Sequence, residues 1–228
     1  MRYRSARGAG SEGRGTMTKQ SSRVVLWALV LVAQGAWAQE WETVTETPYV
    51  VKVRPRPGTQ AREVWAEGQL DASAADVQAA LENVDTYRFW MPYVKEARTV
   101  KTVAEGEHVS YTRLDLPVVT ARDFIIHVVR ESGVAPDGTG VFAQRWWAEP
   151  DLFPGRRDTV RVRLNEGTWH VEPRGEHASY AVYRFSVDPA GSIPTFLVNM
   201  GQKSAVRDTL RAVEKRAQQL AAERQSGK

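Results

Sequence analysis

Asp188-Pro189-Ala190-Gly191-Ser192-Ile193-Pro194 joins two different kinds of sequence. Residues 180–187 before it read as a β-strand. A helical run follows over 193–224, weakened only by Gly201. Pro194 suits a first helical turn, where its missing N–H costs nothing. Val206, Leu210, Val213, Ala217 and Leu220 recur at helical spacing, with Lys203, Arg207, Arg211, Lys215 and Arg216 on the other sides. The run is therefore an amphipathic helix whose apolar stripe needs a partner.

That partner is strand-rich. Working back from the turn, residues 177–187, 168–173, 158–164, 140–148, 122–131, 108–116 and 94–103 all read as β, with joints such as Pro136-Asp137-Gly138 and Asn165-Glu166-Gly167. Pro55-Arg56-Pro57-Gly58 separates two further strands, 49–54 and 62–70. Asp71 or Ser73 can cap a helix over 74–83, with Val77, Ala80, Leu81 and Val84 on one side. A short aromatic element, Tyr87 to Met91, ends at Pro92. The class is α+β, a sheet followed by one long helix.

Successive strand residues face opposite sides, so charges within a strand mark its wet face. Arg161 and Arg163 alternate with Val160, Val162 and Leu164; Arg184 separates Tyr183 from Phe185; Arg145 separates Gln144 from Trp146. The inner face then receives Phe124, Ile126 and Val128; Phe142, Gln144 and Trp146; Val160, Val162 and Leu164; and Tyr183, Phe185 and Val187. Val198, Val206, Leu210 and Val213 oppose them from the helix. For each of these residues, ordinary core packing and a cavity wall are both open. A long curved sheet around one helix is hard to fill completely with side chains, so a cavity is expected.

Residues 1–38 form a separate expectation. Lys19 and Arg23 precede the apolar run Val24-Val25-Leu26-Trp27-Ala28-Leu29-Val30-Leu31-Val32-Ala33, and Ala36-Trp37-Ala38 gives a small-x-small site before Gln39. This is the pattern of a secretory signal cleaved after Ala38, and the expected compartment is periplasmic or extracellular. An uncleaved anchor is the alternative, and Met17 competes with Met1 as the start. The domain proper is expected over 39–228. Residues 1–38 hold six of the 31 Lys and Arg and one of the 27 Asp and Glu, leaving 25 basic and 26 acidic side chains, a net charge near −1. The basic balance of the whole chain therefore gives no argument for nucleic acid.

Chemistry finds little support. There is no Cys, so disulfides, thiolate zinc and a Cys nucleophile are out. His108, His127, His170 and His177 show no metal-ligand spacing, and no phosphate-binding loop, dinucleotide fingerprint or nucleophile elbow occurs. Asp115 and Asp123 flank a turn, and Arg113 and Arg122 stand beside them as the expected ion-pair partners.

Four segments in order carry a family resemblance. The 188–199 stretch resembles the end of a START domain, the lipid-transfer module related to the steroidogenic acute regulatory protein. Tyr87-Arg88-Phe89-Trp90-Met91-Pro92-Tyr93-Val94 is similar to its Trp-Met-Pro element, Arg122-Asp123-Phe124-Ile125 to its Arg-Asp-Phe strand start, and Gly167-Thr168-Trp169-His170-Val171-Glu172-Pro173 to its Gly-x-Trp-x-x-x-Pro strand. The likeness spans residues 40–222. It implies a helix-grip fold, in which a curved antiparallel sheet of about nine strands surrounds a hydrophobic tunnel lidded by the C-terminal helix. It also implies a lipid ligand, transient membrane contact, a monomer, no cofactor and no catalysis; an enzyme on the same fold and a protein-binding module with a filled interior are the alternatives. Trp90 joins the expected ligand-binding residues on this ground. Sterol-type members carry a buried Arg six residues after the Arg of Arg-Asp-Phe; here that position is Val128. Tyr111, Gln144 and Tyr183 are left as polar handles, and an acyl-chain lipid is expected rather than a sterol.

Overall fold

In the computed structural model the chain divides into Met1–Ala36 and Trp37–Lys228. The structure describes residues 40–59, 61–191 and 204–227. The expected leader, the Ser192-Ile193-Pro194 end of the turn and Val198 lie outside these residues.

Among the described residues ten strands make one sheet. They are β1 (Glu42–Thr45), β2 (Val50–Pro55), β3 (Arg62–Leu70), β4 (Val94–Ala104), β5 (Glu107–Leu114), β6 (Ala121–Ser132), β7 (Phe142–Ala148), β8 (Thr159–Arg161), β9 (Leu164–Pro173) and β10 (Ser179–Asp188). Nine of them form an antiparallel path in the order β1-β2-β3-β10-β9-β7-β6-β5-β4, while β8 pairs in parallel with β6. The path is the expected curved antiparallel sheet. The sequence reading missed β1, a four-residue edge strand with little alternation; it also placed a strand over 158–164 and a turn at Asn165-Glu166-Gly167, whereas β8 spans only Thr159–Arg161 and β9 starts at Leu164 and runs through that turn, paired residue by residue with β10.

Among the described residues three helices accompany the sheet: α1 (Ala74–Glu82), α2 (Tyr87–Trp90) and α3 (Val206–Gln225), with a 3-10 turn over Val84–Thr86. Ser73, not Asp71, caps α1, accepting from the Asp76 N–H at 3.1 Å. The Asp71 N–H instead donates to Glu214 Oε1 of α3 at 2.7 Å, and Glu214 Oε2 accepts from the Tyr49 hydroxyl at 2.9 Å. Asp76 pairs with Arg224 at the far end of α3. These ties fix α3 against α1 and β3, and its stripe of Val206, Leu210, Val213 and Ala217 is buried in one core cluster with Val77, Leu81, Phe142 and Val171. A second, small cluster of Val109, Tyr111, Ile125 and Val100 lies on the other face of the sheet.

Candidate functional site: an apolar cavity with a charged rim

The inner face is not filled. A cavity of about 700 Å³ lies between the sheet, α1 and the start of α3. Register explains its walls. Leu114 pairs with Arg122, Thr112 with Phe124, Ser110 with Ile126 and His108 with Val128, so alternate residues of β5 and β6 all face inward. Val128 in turn pairs with Trp146 of β7. Opposite them stands an aromatic wall. Trp169 stacks on Tyr183 at 4.1 Å between centroids, Tyr183 stacks on Phe185 at 4.7 Å, and Trp146 lies 6.0 Å from Tyr183.

Gly167 makes that wall possible. A Cβ there would come within 2.4 Å of both the Arg184 carbonyl oxygen and the Trp146 ring. The bare backbone lets the indole lie across β9, where its Nε1–H donates to Asn165 Oδ1 at 3.0 Å.

Of the residues expected to line a pocket, Phe124, Ile126, Val128, Gln144, Trp146, Val162, Tyr183, Phe185 and Val206 do so. Phe142, Leu210 and Val213 do not. They face inward as their periodicity requires, but α1 fills that end, and all three are fully buried against it. Trp90 packs on the same core from a half-buried position, with its Nε1–H donated to Thr86 Oγ1 at 3.1 Å. Tyr111 is a correction to the polar handles expected inside. His108, Ser110 and Thr112 face the cavity, so Tyr111 must face away, and it sits in the outer cluster with Ile125.

Arg161 is the second correction. It does not mark a wet face. Its guanidinium holds the fully buried Asp123 through two bonds of 2.9 and 3.1 Å, and also donates to the carbonyls of Pro150 (2.6 Å), Phe153 (3.0 Å) and Pro154 (3.4 Å). The segment around 150–158 covers this outer patch and removes it from water. Asp123 is therefore paired neither with Arg122 nor with Arg113, which binds Asp158 at 2.9 Å. Asp115 contributes its backbone N–H to the Tyr93 carbonyl at 2.8 Å.

Polar groups do enter the cavity. Ser110 Oγ and Gln144 Oε1 are buried on its wall without a protein partner among the described residues. Burial holds the His108 imidazole below its ordinary range, against the opposing pull of Glu82 and Asp85, and pushes the Tyr183 phenol upward, so both are neutral at neutral pH. Arg62, Arg122 and Asp188 stand at the end formed by the 91–94 and 116–119 segments and the 188–191 turn. Tyr93 at this end lines the cavity and is 40% exposed, which identifies it as the rim. Ser110, Thr112, Asn165 and Arg122 were not expected on the wall; Asn165 was read in a turn and Arg122 as an ion-pair partner. The alternation of β5 carries the signal for the first two, on the face opposite Tyr111.

A curved antiparallel sheet with an apolar interior under a C-terminal helix defines the helix-grip class. The sequence model of the START domain matches residues 19–223, and the chain belongs to that family. It is 28% identical over 198 residues to an uncharacterized protein of Pseudomonas aeruginosa, covering 86% of this chain and 95% of that one. It is 25% identical to the phosphatidylcholine transfer protein of Bos taurus, covering 78% and 84% respectively. The crystal structure of a STAR-related lipid transfer protein fragment from Xanthomonas axonopodis superposes with a TM-score of 0.67 at 28% identity, covering 78% of this chain and 98% of that one. Family and neighbours together support lipid binding or transfer in general.

Proposed function

We propose that the domain binds one acyl-chain lipid in the 700 Å³ cavity and carries it through water without chemically changing it. The observation that carries this reading is the empty apolar interior, whose volume sits within the range of about 300–1,000 Å³ typical of small-molecule sites. A side-chain-filled interior would have favoured a protein-binding module. Each buried CH₂ contributes about 0.8 kcal/mol, so a chain of about 16 carbons gains on the order of 10 kcal/mol before ordering costs. Val128, where sterol-type members carry a buried Arg, leaves that part of the wall without a charge and favours a flexible acyl chain over a sterol.

Loading and release take place at a membrane surface in this reading. Phe89 is 73% and Val118 is 83% exposed, and each adjoins a segment that lines the rim. Those two segments are joined by the Asp115–Tyr93 backbone bond. The leader-like sequence of residues 19–38 supports work outside the cytoplasm. Mass spectrometry of the protein purified from its native envelope tests both parts. The expected result is a co-purified acyl-chain lipid on a polypeptide beginning at Gln39. A bound sterol would contradict the ligand class, and a retained leader would contradict cleavage.

A further inference from the structure

Arg122 is a buried cation on the cavity wall, with only 3% of its surface exposed. Among the described residues its three hydrogen bonds all go to main-chain carbonyls: Thr120 on its own chain segment, Pro189 at 3.4 Å and Ala190 at 3.3 Å. Carbonyls solvate a guanidinium but supply no net negative charge. The two turn contacts are also longer than the usual 2.7–3.2 Å or so of such bonds.

No carboxylate among the described residues neutralises it. Asp123, its neighbour in sequence, points to the opposite face of β6 and is held by Arg161. Asp188 stands on the same rim, but its Oδ1 accepts from the Ala190 N–H at 2.9 Å and caps the turn. The 192–203 segment that follows the turn contains neither Asp nor Glu. A buried guanidinium is costly without an anion, and charge-assisted, bidentate bonds to carboxylate or phosphate are the ones it makes best. Arg62 adds a second cationic side chain to the same rim.

We propose that Arg122 is an anion-binding residue: the ligand is an amphiphile whose carboxylate or phosphate sits on Arg122 at the rim while its apolar chain runs inward toward Gln144. The incoming oxygens replace the long contacts to Pro189 and Ala190. This inference rests on the lipid-binding reading and deepens it by assigning the charge and direction of the ligand.

Two matched pairs of single-chain probes test it: oleate against oleyl alcohol, and oleoyl lysophosphatidic acid against monooleoylglycerol. Binding to the purified full chain is followed through the fluorescence of Trp146 and Trp169 or by calorimetry. The wild type should bind the anionic member of at least one pair about tenfold or more tightly than the neutral member. A preference in the first pair assigns a carboxylate and in the second a phosphate. R122Q should erase that preference while neutral probes stay within about twofold, and R122K should retain part of it. Equal affinity for charged and neutral probes in both pairs overturns the proposal. So does an R122Q variant that loses neutral and anionic probes alike, which would make Arg122 only a strut for the 188–191 turn. Should R122Q not fold, the wild-type pairs and R122K still decide. Failure of all four probes to bind the wild type would overturn the lipid-binding reading itself, and this inference with it.

Discussion

Gly167 has no room for a side chain, and the cavity wall depends on that. Any Cβ would strike the Arg184 carbonyl oxygen and the Trp146 ring together, and the backbone cannot retreat from the centre of a sheet. Gly167→Ala should cost about 3 kcal/mol, the upper end of ordinary overpacking. For a domain of this size that lowers the melting temperature by about 10 °C. Circular dichroism melts of the two proteins check this; an unchanged midpoint would mean that the indole and strand shift freely. At the same scale lie the charges. Arg122 and Asp123 are adjacent in sequence and on opposite faces in space, so proximity along the chain paired them wrongly. The true partner of Asp123, Arg161, arrives from 38 residues away and through a parallel contact between β8 and β6. No local rule shows that the 150–158 segment will bury both.

At the scale of elements, periodicity was informative where one face was dry and the other wet. On β7 and β10 the alternation placed Gln144, Trp146, Tyr183 and Phe185 on the cavity face, and on β6 it placed Phe124 and Ile126 there although Asp123 and Ile125 on the outer face are buried as well. Tyr111, expected as a polar handle, fails on β5, where both faces are buried and this aromatic sits on the outer one. The α3 stripe was legible as an inward face. Sequence could not show that Leu210 and Val213 meet α1 while Val206 meets empty space, because that depends on where α1 docks. The loop between β5 and β6 carries its own signal. Val118 has φ of 58°, a conformation poor for a β-branched residue, and its side chain stands 83% exposed. Asn tolerates this backbone far better. Val118→Asn should therefore leave the melting temperature unchanged or raised, yet weaken binding to phospholipid vesicles by about tenfold, the loss expected for one apolar side chain. Vesicle flotation measures this, and undiminished binding would remove the loop from the membrane surface.

For the whole molecule, fold and family were legible because four separated segments agree in order, each tied to a backbone constraint or an aromatic contact. The Asp188 turn acquires a definite neighbour. It is held from inside the cavity by Arg122, not merely placed between a strand and a helix. What the sequence withheld was volume, since 700 Å³ of space is a property of how the sheet curves and not of any residue. The central claim is that this space is the lipid site. Ile126 is only half-buried and faces the void, so a larger side chain can fill the cavity without displacing the packed core. Native mass spectrometry after incubation with oleoyl lipids should show one lipid per wild-type chain and almost none on Ile126→Trp, with melting temperatures within a few degrees of each other. Equal lipid occupancy in a folded Ile126→Trp protein would contradict the account.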